Sequence, residues 1–399
     1  MRKDWEIVPF GEVCEISGGS QPPKSNFIYE PKEGYIRLVQ VRDYRTDKYM
    51  TYVPINKAKK FCKKSDIMIG RYGPPIFGIF SGIEGAYNVA LMKAIPNEEK
   101  LDKEYFRWFL KTDELVRFVE KTSKRAAGQD GVRKERLYSY PIPIPPIEEQ
   151  KQIVALLDKA FTAIDQAKAN ISTNIANAKE LFQSKLNDIF SQKGAGWEEK
   201  TLNEICEVKD GTHDSPKYVD EEFGIPFVTQ KNILDDGISF EKTKFISEED
   251  HNNFYRRSNV AYNDILFAMI GANRGMACLV DDKRVFSIKN VGLIKSNESY
   301  RAKFILYFLK SPKAKKYVAE NSSGSAQGFI GLTKLRAFPI PFTSIENQKE
   351  IVLLIESLNN SIKTTIYNYS LKLNSLEELK KSILQKAFAG ELTENVVVV

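Results

Sequence analysis

Residue types that do chemistry are sparse in this chain. Its two histidines, His213 and His251, sit in unrelated local sequence, with no His-x-x-x-His pair, Gly-x-Ser-x-Gly elbow or Walker loop. Glu98-Glu99-Lys100 and Glu198-Glu199-Lys200 resemble the Glu-x-Lys half of a nuclease site, a pattern that arises by chance in a chain rich in Glu and Lys. Gly73-Pro74-Pro75-Ile76-Phe77 invites comparison with the Asn/Asp-Pro-Pro-aromatic motif of amino-methyltransferases. The leading amide or carboxylate is missing, as is a methyl-donor glycine loop, so the segment reads as a turn. Cys14, Cys62, Cys206 and Cys278 form no Cys-x-x-Cys pair and read as small buried hydrophobes. No catalytic residue, metal set or cofactor is assigned.

Binding chemistry is better represented. The stretch from Lys121 to Arg136 holds Lys121, Lys124, Arg125, Arg133, Lys134 and Arg136 around Gly128 and Gly131. A related stretch, Asn321-Ser322-Ser323-Gly324-Ser325-Ala326-Gln327-Gly328, occurs later in the chain. Glycine lets backbone approach phosphates, while Arg, Lys, Gln, Ser and Asn pair with phosphates and base edges. A solvated surface loop is the plain alternative. The candidates for nucleic-acid contact are Lys24, Arg42, Arg71, Tyr72, Lys124, Arg125, Gln129, Arg133 and Lys134, then Thr212, His213, Lys217, Lys231, Asn273, Arg274, Ser325 and Gln327. A net charge of +7 suits a polyanion partner without establishing one.

These residues fall into a repeat. Trp5-Glu6 with Glu12-Val13-Cys14-Glu15-Ile16 returns as Trp197-Glu198 with Glu204-Ile205-Cys206-Glu207-Val208. Asn88-Val89-Ala90-Leu91 returns as Asn290-Val291-Gly292-Leu293. Pro141-Ile142-Pro143 leading to Ile147-Glu148-Glu149-Gln150-Lys151 returns as Pro339-Ile340-Pro341 leading to Ile345-Glu346-Asn347-Gln348-Lys349. A unit this long is a domain, since solenoid repeats run about 20–50 residues. Each front part, such as Tyr35–Val39, Ile67–Ile69 and Ile76–Phe80, alternates strand-like runs with Gly, Pro, Asn and Asp, and carries one helical stretch, Lys103–Leu110 or Ala302–Leu309. From Ile147 to Phe190 and from Ile345 to Phe388 neither proline nor glycine occurs, and apolar residues recur at three- and four-residue steps. At about 1.5 Å per residue each helix is roughly 60 Å long. Such seams are stable when packed on another helix, so an antiparallel pair is expected. No run reaches the length of a membrane span, and the Met-Arg-Lys-Asp start lacks an apolar leader, so a cytoplasmic protein is expected.

Taken together the chain resembles the specificity subunit of type I restriction-modification systems. The likeness covers nearly the full length. It rests on the paired Trp and Glu-x-Cys-Glu segments, the twice-used passage from Pro-Ile-Pro to Gln-Lys, and the closing Ala387-Phe388-Ala389-Gly390-Glu391-Leu392. It implies an α+β fold with target recognition domains over 1–145 and 192–343, spacer helices over 146–191 and 344–391, and a tail over 392–399. It also implies a bipartite double-stranded DNA target, two docked methyltransferase subunits, restriction translocase subunits joining through the complex, and no active site or cofactor in this chain. A stand-alone methyltransferase or nuclease, and a coiled-coil scaffold that ignores DNA, are the competing readings.

Overall fold

The computed structural model describes residues 5–73, 76–124, 130–192, 196–322 and 328–393. Arg125, Gln129, Ser325 and Gln327 lie outside these residues, as does the Pro-Pro step of the 73–77 turn. The chain divides into two compact units, Met1–Asn170 with Leu371–Val399, and Ile171–Ser370.

Each unit repeats one sheet plan. In the first, an antiparallel sheet has the order Cys14–Gly18, Leu91–Pro96, Ile67–Gly70, Ile79–Phe80. In the second, Glu207–Asp210, Val291–Lys295, Ile265–Ala268 and Ala277–Leu279 take the same places. Ile67–Gly70 and Ile265–Ala268 are buried at every residue, as central strands covered on both faces should be. A further sheet in each unit is built on a parallel pair, Tyr35–Val39 with Gly85–Tyr87, and Ile225–Thr229 with Ser287–Lys289. The edges of that sheet differ. The second unit adds a hairpin, Ile233–Leu234 with Gly237–Ile238, and the helix Glu248–Ser258. Ser247 caps that helix by accepting from Asp250 N, and Asn259 ends it in the left-handed region. The Pro-Ile-Pro segments form short antiparallel pairs, Pro141–Ile144 with Glu6–Pro9 and Pro339–Phe342 with Glu198–Thr201; two-stranded pairing leaves an edge where proline is tolerated.

The expected strand over 76–80 is shorter than its apolar run suggests. Only Ile79–Phe80 is strand, and Phe77 sits in the preceding turn at φ +64°. Gly275 holds the matching place in the second unit at φ +86°. A phenylalanine tolerates that conformation because its ring is buried, which offsets a strain of roughly 1–3 kcal/mol.

The two long helices span Ile147–Ser191 and Ile345–Ala389, 45 residues each. Gly390 stops the second at φ +82°. Within the first unit Asp165 pairs with Lys380 and Lys168 with Glu377. Partner numbers fall as the first helix rises, so the helices run antiparallel. Each core is closed by the start of one long helix and the end of the other. Ile153 and Leu157 meet Leu384 and Phe388 in the first unit, and Leu186 and Phe190 meet Val352 and Ile355 in the second. Phe388 packs 5.0 Å from Tyr105 and 5.4 Å from Phe109, while Phe190 lies 5.3 Å from both Phe304 and Phe308.

The repeated Gln-Lys passage has a packing role that sequence alone does not disclose. Gln150 and Gln348 are fully buried in the first turn of their helices. Gln150 Oε1 accepts from Asp102 N at 2.7 Å, and Nε2 donates to Lys100 O at 2.9 Å and Pro145 O at 2.8 Å. It thereby clips the long helix to the start of the helix Lys103–Phe109. Gln348 Nε2 donates to Thr343 O at 2.7 Å, and its Oε1 has no partner among the described residues.

Candidate nucleic-acid interface

In both units a glycine carries the chain from one sheet to the other. Gly19 N donates to Leu91 O at 3.0 Å and Ser20 N to Tyr87 O at 3.1 Å. In the second unit Gly211 N donates to Val291 O at 2.9 Å and Thr212 N to Ile288 O at 3.0 Å. A Cβ on Gly19 would stand 1.9 Å from Asn88 O, and one on Gly211 2.2 Å from Ile288 O, so only glycine fits. The crossing gathers an edge. Asn88 N bonds Val39 O at 3.1 Å and Arg71 N bonds Ala90 O at 2.8 Å, which draws the turn after Val39 and the end of Ile67–Gly70 towards it.

Several residues singled out from the sequence meet at that edge in the first unit. Val132 N donates to Arg71 O at 3.0 Å, and Gly131 lies so close to Tyr72 that a Cβ would stand 2.6 Å from the ring. The Arg133 guanidinium donates to Lys124 O at 3.2 Å. Arg71 lies 5.0 Å from the Tyr72 ring centroid and Lys134 Nζ 4.9 Å from that of Tyr138. Arg71, Tyr72, Lys124, Arg133 and Lys134 are therefore one group. The basic stretch is not a single loop as its composition suggests: Lys121 belongs to the helix Asp113–Ser123, and Lys134 and Arg136 to the helix Lys134–Tyr138. Arg42 stands on the 3₁₀ turn Val41–Tyr44, donating to Tyr49 O at 3.1 Å and Thr51 Oγ1 at 3.3 Å. Lys24 is exposed on a separate turn, Lys24–Asn26, and no described contact ties it to the group.

In the second unit the Lys231 turn and the Asn273 loop stand where the Arg42 turn and the loop after Ile67–Gly70 stand in the first, with other side chains. Lys231 lies on the 3₁₀ turn Gln230–Asn232, which follows Ile225–Thr229 as the Arg42 turn follows Tyr35–Val39. Asn273 Nδ2 donates to Gln230 O at 3.2 Å, holding the loop with Arg274 against that turn. Lys217 is exposed beside the edge strand Tyr218–Val219. Thr212 and His213 lie at the glycine crossing itself. The ring nitrogens of His213 face Asn290 Oδ1 at 2.6 Å and Asp210 Oδ2 at 3.1 Å. Asp210, nearly buried, also accepts from Arg257 Nε at 3.1 Å and Nη2 at 2.6 Å. Neither Asp210 nor Arg257 stands out in the sequence, where they are far apart with nothing in spacing to join them. The signal that could have marked Asp210 is its place immediately before the crossing glycine.

His251, the other histidine, is buried at the base of the helix Glu248–Ser258 with Nδ1 2.8 Å from Ser287 Oγ. Burial holds its imidazole below the usual value, so it is a packing residue. All four cysteines are buried, and burial pushes Cys14 and Cys278 up to about 12 and Cys62 and Cys206 to about 11. Such thiols stay protonated. Among the described residues no group of three or more His, Cys, Asp or Glu is placed to hold a metal ion, and no helix is long and apolar enough to cross a membrane.

Known proteins share this doubled plan. The "Type I restriction modification DNA specificity domain" family matches residues 2–176 and again 194–369. The MjaVIII specificity subunit of a type I restriction enzyme from Methanocaldococcus jannaschii is 25% identical over 412 residues, covering 98% of this chain and 93% of that protein. The EcoBI specificity subunit from Escherichia coli is 25% identical over 418 residues, covering 98% and 86%. Among solved structures, a chain from work on complex assembly and conformational transition of the type I R-M system superposes with a TM-score of 0.76 at 18% identity, covering 98% and 99%. The crystal structure of the HsdS subunit from Thermoanaerobacter tengcongensis gives a TM-score of 0.61 at 18% identity, covering 98% of both chains. With the family's domain present in both halves, this chain belongs to the type I restriction-modification DNA specificity family.

Proposed function

We propose that the chain is the non-catalytic, sequence-specific DNA-binding subunit of a type I restriction-modification complex, each unit reading one half of a bipartite duplex site. The observation that carries this is the doubled edge: one backbone station, the glycine crossing with its neighbouring turns, presents different side chains in the two units. Arg71, Tyr72, Arg133 and Lys134 group at the first, and Thr212, His213, Lys231 and Asn273 gather at the second. Equivalent frames with different donors and acceptors are what two readers of different sequences require. The scaffold reading leaves these edges without a purpose, and the enzyme reading lacks a metal or methyl-donor site among the described residues.

In this proposal the long helices act as a spacer and as a dock. Between Ile164 and Leu186 of the first, and between Ile355 and Leu384 of the second, no residue is buried, while Tyr367, Leu371 and Leu181 are exposed. Surfaces repeated by the internal duplication suit two copies of one methyltransferase subunit, with translocase subunits joining through the assembled complex. Co-expression with the cognate methyltransferase, followed by methylome sequencing, tests the reading. The expected result is a methylated motif of two short specific parts around an unread gap. A continuous motif, or methylation independent of this chain, refutes it.

A further inference from the structure

The polar network at the second unit's crossing is built for more than holding the fold. Asp210 has 7% of its side chain exposed, yet its partner Arg257 is 52% exposed. The carboxylate is anchored in the protein and the guanidinium is presented to solvent. Arg257 uses Nε–H and one Nη2 hydrogen on Asp210 Oδ1. Three of its five donors remain, directed away from the carboxylate. The other oxygen, Oδ2, faces His213, which in turn faces Asn290. Asn290 holds its position at φ +52°, a backbone region that asparagine tolerates. The helix carrying Arg257 is fixed at its start by His251 against Ser287 and at its end by the Asp210 pair. Among its described residues the first unit has no such arrangement: Gly18 stands just before its crossing glycine, and a cation near it is Lys60, 3.2 Å from Ser17 Oγ.

We infer that Arg257, oriented by Asp210, reads the paired acceptors of a guanine edge in the half-site of the second unit, with His213 and Asn290 framing the same base step. The inference rests on the DNA-recognition reading above. Fixed orientation favours a base over a phosphate. A phosphate can be met by any cation within reach, lysine included, whereas O6 and N7 of guanine must meet two donors in one plane. The Asp210 charge also offsets that of Arg257, which weakens attraction to the backbone while leaving the directional donors intact. Asp210 is thus a positioning residue, and Arg257 the one that touches DNA.

The test uses the full chain in complex with its methyltransferase, comparing the wild type with Arg257→Lys, Arg257→Ala and Asp210→Asn by methylome sequencing and by binding to duplexes varied one base at a time. Arg257 is half exposed, so its variants should fold even where Asp210→Asn does not. The expected result is that one guanine position in a single half-site loses roughly 5- to 150-fold of its discrimination in both Arg257 variants. Arg257→Lys retains the charge, so it should leave the salt slope alone, and Asp210→Asn should relax the same position and no other. A uniform loss of affinity with a shallower salt slope assigns Arg257 to a phosphate and overturns the inference. So do unchanged base preferences, or relaxation in both half-sites. A wild-type complex without any bipartite motif would instead refute the underlying functional reading.

Discussion

Replacing Gln150 by leucine should destabilise the first unit far more than Gln348→Leu destabilises the second, although both glutamines are fully buried and hold the same place in the repeat. Gln150 makes three hydrogen bonds to backbone, with Asp102 N, Lys100 O and Pro145 O. Leucine is of similar size but satisfies none of these groups. At about 1 kcal/mol for each bond removed, with the Pro145 bond buried and therefore nearer the upper end, the cost is roughly 3–4 kcal/mol. Better burial of an apolar side chain offsets about 1 kcal/mol, leaving a net loss of roughly 2–3 kcal/mol. Among the described residues Gln348 makes a single such bond, to Thr343 O, and carries an oxygen with no partner. Removing that oxygen relieves a desolvation penalty, so Gln348→Leu should stay within about 1 kcal/mol of the parent. Hydrogen exchange of the full chain separates the two units. Amides of the helix Lys103–Phe109 should exchange roughly 30- to 150-fold faster in Gln150→Leu wherever they exchange through unfolding of the unit. Those of Ser299–Leu309 should change little in Gln348→Leu. Equal losses for the two substitutions, or none for Gln150→Leu, would refute the argument that this side chain clips helix to helix.

Neutralising Lys124 and Arg125 together should flatten the salt dependence of DNA binding by roughly 0.9 log units for each phosphate no longer neutralised, measured by titration at several salt concentrations; an unchanged slope removes them from the interface. The second unit should lose stability as pH falls from the ordinary histidine value of 6.5. His251 is held neutral by burial, so its folded value is depressed and the unfolded chain takes up the proton first. In His251→Gln that acid limb should be shallower in thermal melts, and an identical pH profile would count against it. Inserting one helical turn near Asn174 adds about 5.4 Å and should lengthen the unread gap by about one or two base pairs, given about 3.4 Å per pair along B-DNA, with both half-sites unchanged. Methylome sequencing of the insertion variant checks this, and an altered half-site with an unchanged gap would sink the spacer proposal.

The repeat, the α+β character and the two long helices follow from local pattern in the chain. Helices without internal glycine or proline and with apolar residues every three or four positions have few alternatives, and Pro-Ile-Pro can only pair at an edge. The same locality explains why Lys124, Arg133 and Lys134 stand out together as candidates: they cluster within one short stretch of sequence. What sequence could not supply is which distant residues meet. Phe77 in a left-handed turn looked like strand, because an apolar side chain signals burial equally in either setting. Gln150 stands out in the sequence only as part of the repeated passage; that it faces inward, and not outward with Glu148 and Lys151, follows from its burial and its bonds to Lys100, Asp102 and Pro145. Arg257 carries no mark in the sequence, where it is one basic residue among many. Only the packing of the helix that carries it onto the glycine crossing sets it against Asp210 and beside His213. Secondary structure responds to neighbours a few positions away, whereas a directional donor acquires its orientation from a partner that the chain brings back from a distance. That closure belongs to the tertiary fold.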